Sequence, residues 1–257
     1  MHLCLSSRMF TVPEAQDKFE LEIDEFIRFA QSLGYDGVTL RAGQLDAGTS
    51  PERIKWIANL LKQNAMFFSF VMGGPLTDAK SYESSCRLVE HAVRLDCQHV
   101  QVSVPSPSGI SWLQRLCDFS AERKIRICPQ VHGNSVHDTV PHCLDLVKQV
   151  DRGNFGFNFE PAQLLIQKAE PRGGNAIRAL SGHIFTVCIQ NYKLEGTKVI
   201  PCLPGDPRGV DFEELFAVLK EIGFDGFVTH ISVRYPDLNN LEVCRAFLKY
   251  LRPLMSS

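Results

Sequence analysis

The chain has 257 residues, a formal net charge of −2, 44% hydrophobic residues and nine cysteines. The scattered lysines and arginines argue against a nucleic-acid surface, which needs a clustered basic face. No apolar run approaches the ~18 residues of a membrane span, and "MHLCLSSRMF" lacks the apolar stretch of a signal peptide. The cysteines form no CxxC pair, which is typical of reduced thiols. We therefore expect a cytoplasmic protein that binds neither nucleic acid nor membrane.

Strand and helix patterns alternate along the whole chain. Two near copies, "LGYDGVTLR" (33–41) and "IGFDGFVTH" (222–230), each end an amphipathic helix at a glycine and enter a β-branched strand. Ser50 and Pro51 are typical of a helix start. Further helices are predicted at 78–95, 109–123, 139–150 and 239–251. The predicted strands are 1–6, 36–41, 66–72, 99–104, 126–131, 154–160, 183–191 and 226–232.

Eight such units in a chain of this length predict an α/β fold, a (β/α)8 TIM barrel, as a single domain over 1–257. An open doubly wound sheet is the alternative. It would want a glycine-rich phosphate turn after an early strand, and none is present, so we expect no nucleotide cofactor. The longest irregular connection, 191–210, is either a functional lid or a solvated excursion.

Polar residues stand at the ends of several predicted strands, where barrel active sites lie. Residues two apart in a strand share a face, so each pair is expected to point to one side. The candidates are Ser6 and Arg8, Thr39 and Arg41, Gln130 and His132, Asn158 and Glu160, Cys188 and Gln190, and His230 and Ser232. Any one of them can be a structural residue. Their convergence predicts a functional site, because a core with no use for polar groups would bear their desolvation cost.

These residues carry a resemblance to the xylose-isomerase-like barrel superfamily, which holds sugar and sugar-phosphate isomerases and epimerases, hydroxypyruvate isomerase, inosose dehydratase and endonuclease IV. The stretches that resemble it are "FIRFAQSLGYDGVTLR", "NFGFNFEPAQL", "IFTVCIQN" and "PGDPRGVDFEELFAVLKEIGFDGFVTH". They span nearly the whole chain. The last is the most specific, since a Pro-Gly turn, Val-Asp-Phe and a helix-strand unit follow in order.

The resemblance also implies a metal site in which this chain departs from the family. The family's four ligands, Glu, Asp, His and Glu, fall on Gln130, Glu160, Cys188 and His230, and a further family histidine falls on Gln163. Carboxylate charge is much of what holds a divalent cation. We therefore expect Mn²⁺, Mg²⁺ or Zn²⁺ to bind weakly, through Gln130, Glu160 and His230.

The function predicted from this resemblance is proton transfer next to a carbonyl in a small polyhydroxylated substrate, giving isomerisation, epimerisation or dehydration. His230 is predicted as the base and Glu160 as a metal ligand or second acid–base group. The residues predicted to bind substrate are Arg41, His132, Asn158, Gln163, Cys188 and Gln190. The alternative is a sugar-binding or regulatory barrel that has lost catalysis. A DNA-repair nuclease is disfavoured by the net charge, and a homo-oligomer is left open.

Overall fold

Eight parallel strands follow one another in the computed structural model, which describes residues 1–12 and 15–256. Their bounds are His2–Ser6 (β1), Gly37–Thr39 (β2), Phe67–Phe68 with Val71–Pro75 (β3), His99–Ser103 (β4), Arg126–Ile127 (β5), Phe157–Phe159 (β6), Ile184–Ile189 (β7) and Phe227–His230 (β8). β8 pairs with β1, and bridges at Ile127–Phe155 and Gln130–Asn158 join β5 to β6. The ring of strands is thereby closed, and the predicted barrel is confirmed.

Helices cover the outside of the barrel. Their bounds are Ile23–Leu33 (α1), Pro51–Gln63 (α2), Ala79–Arg94 (α3), Ile110–Ala121 (α4), Val140–Val150 (α5), Pro161–Ile166 (α6), Gly173–Ala179 (α7), Phe212–Glu221 (α8) and Asn240–Ser256 (α9). Ser50 caps α2 by accepting a hydrogen bond from the Arg53 amide, and Gly34 ends α1 at φ +92°, as the sequence predicts. Across the described ranges, no helix combines the length and the apolar character that a bilayer crossing requires.

Short elements complete the fold at the carboxyl ends of the strands. A 3₁₀ helix, Ser7–Phe10, follows β1. An antiparallel hairpin of Tyr192–Glu195 and Lys198–Pro201 follows β7 and occupies the first half of the irregular connection predicted at 191–210. Both elements contribute side chains to the mouth of the barrel.

The register of β7 and β8 decides which of their side chains face the barrel interior. Thr229 donates a hydrogen bond to Ser69 Oγ at 3.0 Å. Ser69 lies between the two segments of β3, and β1 and β2 separate β3 from β8 in the sheet, so this bond crosses the interior. Cys188 is the register partner of Thr229, and Ile189 is the partner of His230. Cys188 therefore faces inward and His230 faces the helices.

The prediction that His230 shares the inward face with Glu160 is wrong. Its imidazole lies between the sheet and the helix layer, stacked on Phe247 of α9 with ring centroids 4.0 Å apart. Nδ1 contacts the Tyr35 hydroxyl at 2.9 Å, and Nε2 contacts the Ser232 hydroxyl at 2.6 Å. Burial lowers the pKa of His230 to about 3, so the ring is neutral and acts as a hydrogen-bonded aromatic core residue.

We predict that His230→Phe destabilises the protein at pH 8 and that this difference closes in acid. At pH 8 the variant loses about 1–3 kcal/mol, because the Tyr35 and Ser232 hydroxyls both lose their contacts with the imidazole. The native imidazole stays neutral down to pH about 3, whereas the unfolded chain protonates it below pH ~6.5. Below pH ~6.5 the stability of wild type therefore falls by about 1.4 kcal/mol for each pH unit, and the variant does not show this loss. Urea unfolding from pH 8 to pH 5 measures the difference.

Tyr35→Phe is the matched control, because it removes one of these two hydrogen bonds and keeps the buried imidazole. Its difference from wild type should stay constant across this pH range. A constant difference for His230→Phe as well would contradict a neutral buried His230.

Candidate active site

Glu160 is the centre of the polar cluster at the mouth of the barrel. It follows β6 directly and precedes Pro161, which begins α6, and its side chain is fully buried. Gln130 Nε2 donates to Glu160 Oε2, and Gln190 Nε2 donates to Oε1. Gln163 Nε2 donates to Oε1 as well, at 3.4 Å. Three amides from three elements thus surround one carboxylate. We call these three glutamines, together with Gln101 and Asn158, the amide cluster around Glu160.

The direction of the Gln190 amide is fixed by a neighbour that can only donate. Arg8 Nη1 lies 3.4 Å from Gln190 Oε1, and a guanidinium has no acceptor. The Tyr192 hydroxyl donates to the same Oε1 at 2.8 Å. The Gln190 N–H groups must therefore face Glu160.

The contacts from Arg8 through Gln190 form one hydrogen-bond relay to Glu160. A second relay reaches Glu160 from the other side of the mouth. Asn158 Nδ2 donates to Gln101 Oε1 at 2.8 Å, and Gln101 Nε2 donates to Gln130 Oε1 at 3.2 Å. Gln130 then turns its own N–H toward Glu160. Both relays end on the carboxylate, so the cluster is built to accept a negative charge at that point.

Burial and hydrogen bonding act on Glu160 in opposite directions. Burial raises the pKa of its carboxyl group, while the Gln190 amide and the positive charge of Arg8 oppose that rise. Burial, followed by the nearby Glu160, holds the pKa of the Cys188 thiol well above its usual range. Cys188 is therefore a neutral thiol and not a thiolate ligand.

The structure brings together most of the predicted site residues. Five residues join Glu160 in or beside the cluster: Gln130, Asn158, Gln163, Cys188 and Gln190. His132 is exposed and lines a mouth cavity of about 210 Å³ with Gln101, Gln130, Ser135 and His137. Arg41 lines a separate cavity of about 400 Å³ at the ends of β1 and β2. His230 lies outside the cluster, as its register requires.

Sequence reasoning missed Gln101 and Tyr192, and it named Arg8 as a polar strand-end candidate without a specific role. Gln101 interrupts an apolar strand, "HVQVS", so its polarity at an inward position was a usable signal. Arg8 stands at the end of β1 among the polar strand ends, but its contact with Gln190 joins positions 182 residues apart. No spacing rule predicts such a pair.

The side chains at the implied metal positions do not fit a divalent cation. His230 points to the helices, and the inward residue beside it is Ile231, which packs on Cys188 in a small apolar cluster. Cys188 is a neutral thiol. Gln130 presents N–H groups to Glu160, and its carbonyl oxygen is taken by Gln101. Within residues 1–12 and 15–256, no three His, Cys, Asp or Glu side chains are grouped to hold a metal.

Comparison with known proteins identifies the family and the fold. Residues 27–253 match the family described as Xylose isomerase-like TIM barrel. A D-psicose 3-epimerase structure superposes with a TM-score of 0.78 at 16% identity, covering 100% of each chain. A probable 3-DHS dehydratase from Bacillus anthracis gives 0.78 at 17% identity, covering 98% of this chain and 99% of the other. The 3-keto-D-glucoside 4-epimerase of E. coli gives 0.74 at 14%, covering 98% and 99%. No curated protein matches in sequence.

We predict that Gln190→Leu destabilises the protein most at neutral and higher pH. The change removes an N–H donor from Glu160 and raises its pKa further. A buried carboxyl group with a raised pKa costs stability while it is ionised, and the cost disappears as pH falls through that pKa. We expect a loss of about 1–3 kcal/mol at pH 8 and a smaller one at pH 5, measured by urea unfolding. Gln44→Leu, at a buried glutamine outside the cluster, is the control and should show no such pH trend.

We also predict that Mn²⁺, Mg²⁺ or Zn²⁺ at millimolar concentration neither raises the melting temperature nor gives a saturable heat of binding. One carboxylate already satisfied by amides leaves too little charge and too few free oxygens for the ion. Glu160→Gln is the control, since a shift that persists in this variant arises elsewhere. A saturable shift that wild type shows and this variant lacks would place a cation at Glu160.

Proposed function

Because the chain belongs to the xylose isomerase-like TIM barrel family, we propose that it is a sugar isomerase- or epimerase-like enzyme. It moves a proton next to the carbonyl group of a small polyhydroxylated compound, and Glu160 is the base. The observation that carries this proposal is a buried carboxylate with a raised pKa, held at the carboxyl end of the barrel in contact with Gln130, which lines the mouth cavity. The sugar epimerases among the structural relatives support the reaction class.

Substrate reaches Glu160 by displacing one amide. Gln130 is half-buried and lines the mouth cavity, so rotation of its side chain uncovers Glu160 Oε2. The carboxylate then removes a proton from the carbon beside the carbonyl. The electron pair of the broken C–H bond forms the C=C bond of an enediolate, and the carbonyl oxygen takes the negative charge. The positive charge of Arg8, which already acts on Glu160, stabilises this anion.

The fate of the proton follows from the number of bases. Glu160 can return it to the former carbonyl carbon; the hydroxyl proton on the carbon that was deprotonated passes at the same time to the negatively charged oxygen, so that a new carbonyl group forms there and the isomerisation is complete. It can also give the proton to a departing hydroxide, which completes a dehydration. A two-base epimerisation needs a second group on the opposite face, and Gln130 and Cys188 offer an amide and a neutral thiol. Isomerisation or dehydration is therefore favoured over epimerisation.

A second candidate is a barrel that binds a polyhydroxylated ligand without turnover. The observation that favours it is the saturation of Glu160, whose two oxygens accept three amide donors and are fully covered. In this case the carboxylate acts as an anchor that orients Gln101 and Gln130 toward hydroxyl groups in the mouth cavity.

We predict that the protein exchanges a carbon-bound proton of one member of a panel of ketoses, inososes, sugar phosphates and hydroxy acids with D₂O. Proton NMR follows the loss of the C–H signal. Glu160→Gln should slow this exchange by about 10²–10⁴-fold, since the general base is lost. Glu213→Gln, on α8 and in contact with Tyr250, is the control and should exchange at the wild-type rate.

Glu160→Asp separates a catalytic from a structural effect. It keeps the charge and moves the carboxylate back by one methylene, so we expect a folded variant with slowed exchange. Wild-type exchange by Glu160→Gln would remove Glu160 as the base. Saturation-transfer NMR signals from a bound sugar, with no exchange across the panel, would favour the binding barrel.

A further inference from the structure

Two arginines share the larger cavity at the mouth of the barrel. Arg8 lies on the 3₁₀ helix after β1, and Arg41 lies two residues beyond β2. Both are half-buried and line the cavity of about 400 Å³, with Arg234 at its edge. We call it the arginine cavity. The Ser7 hydroxyl accepts the Arg41 backbone N–H at 3.1 Å, so the two arginines are held by one short segment.

Neither Arg8 nor Arg41 has an acidic partner within the part of the chain that the structure describes. Arg8 Nη1 contacts Gln190 Oε1 and the Ile231 carbonyl oxygen, each at 3.4 Å. Arg41 Nη1 contacts the weak acceptor Met72 Sδ at 3.3 Å. Arg234 differs, because it pairs with Glu20. Two of the three guanidinium groups therefore keep donors available to a ligand.

The two unpaired charges also repel each other. Burial lowers the pKa of Arg41, and the charge of Arg8 lowers it further. Two half-buried cations that line one cavity disfavour each other's charged form. An oxyanion between them removes that repulsion and accepts charge-assisted hydrogen bonds from both forks.

We propose that Arg8 and Arg41 form a subsite for an oxyanion, a carboxylate or a phosphate, carried by the ligand of the mouth. This inference rests on the proposed function and specifies its substrate class: an acidic polyhydroxylated compound, either a sugar acid or a sugar phosphate. Arg8 joins the subsite to the reacting end, since it contacts Gln190, which in turn contacts Glu160. The anionic group lies on the arginines, and the hydroxylated carbon chain extends toward the amide cluster.

The test compares ligands that differ in the anionic group alone. D-Glucuronate, D-glucose 6-phosphate and D-glucose, which differ at C6 alone, are titrated into the full-length protein, and melting temperature and heat of binding are recorded. We expect one or both acids to bind and the neutral sugar to bind far more weakly. The stronger acid identifies carboxylate or phosphate as the source. Binding of neither acid, or equal binding of all three compounds, would overturn the subsite.

Variants locate the binding. Arg41→Gln should weaken binding of the acid about 10-fold or more, the effect of losing a charge-assisted bond. Arg41→Lys keeps the charge, loses the fork and should lie between. Arg115→Gln, on α4 beside Tyr82 and Trp112, is the control and should bind as wild type does. Unchanged affinity in a folded Arg41→Gln variant would overturn the proposal.

The same titration separates this proposal from the reaction. Glu160→Asp should still bind the acid through the arginines. If the acid binds and no C–H exchange is seen, the oxyanion subsite is supported and the proposed proton-transfer activity is contradicted. If the protein exchanges protons of neutral sugars alone, and Arg41→Gln does not change the rate, the proposed enzymatic activity is supported and the subsite is contradicted.

Discussion

The mouth of this barrel depends on one buried carboxylate. Glu160 is fully covered, and a charge in that position is tolerated only when hydrogen bonds replace the lost water. Gln130, Gln163 and Gln190 supply those bonds. Each of these amides must then turn its carbonyl away from Glu160. That single charge fixes which groups donate and which accept in the surrounding hydrogen bonds. This holds out to Asn158 on one side and to the guanidinium of Arg8 on the other.

The same constraint shapes the chemistry open to the site. A carboxylate satisfied by neutral amides needs no cation beside it, and the neighbouring Cys188 thiol is neutral and does not act as a second base. Positive charge approaches Glu160 from the side, where Arg8 acts on the carboxylate and Arg41 shares the arginine cavity with Arg8. A site with one base and flanking guanidinium groups suits an anionic substrate and a one-base proton transfer better than a metal-bridged two-base reaction.

Packing outside the barrel follows a different rule. The layer between strands and helices is apolar, and His230 enters it as a neutral ring because Tyr35 and Ser232 satisfy both nitrogens while Phe247 stacks on its face. Inside the barrel polar contacts such as the Thr229–Ser69 bond lie beside a small apolar cluster of Phe70, Cys188 and Ile231. His230, at the end of β8, therefore stabilises the packing of the helices on the barrel, whereas Gln190, at the end of β7, is part of the candidate site.

The sequence by itself determined the barrel, because eight alternating strand and helix patterns with caps such as Ser50 and Gly34 are local signals. It also determined that Glu160 and its neighbours meet, since parallel strands end together. Only the tertiary structure decided that His230 faces outward, because "GFVTHIS" carries polar residues at both parities and only pairing to β7 selects one. The contact of Arg8 with Gln190 likewise required barrel closure, because it joins strand ends far apart in the chain and no local pattern encodes it.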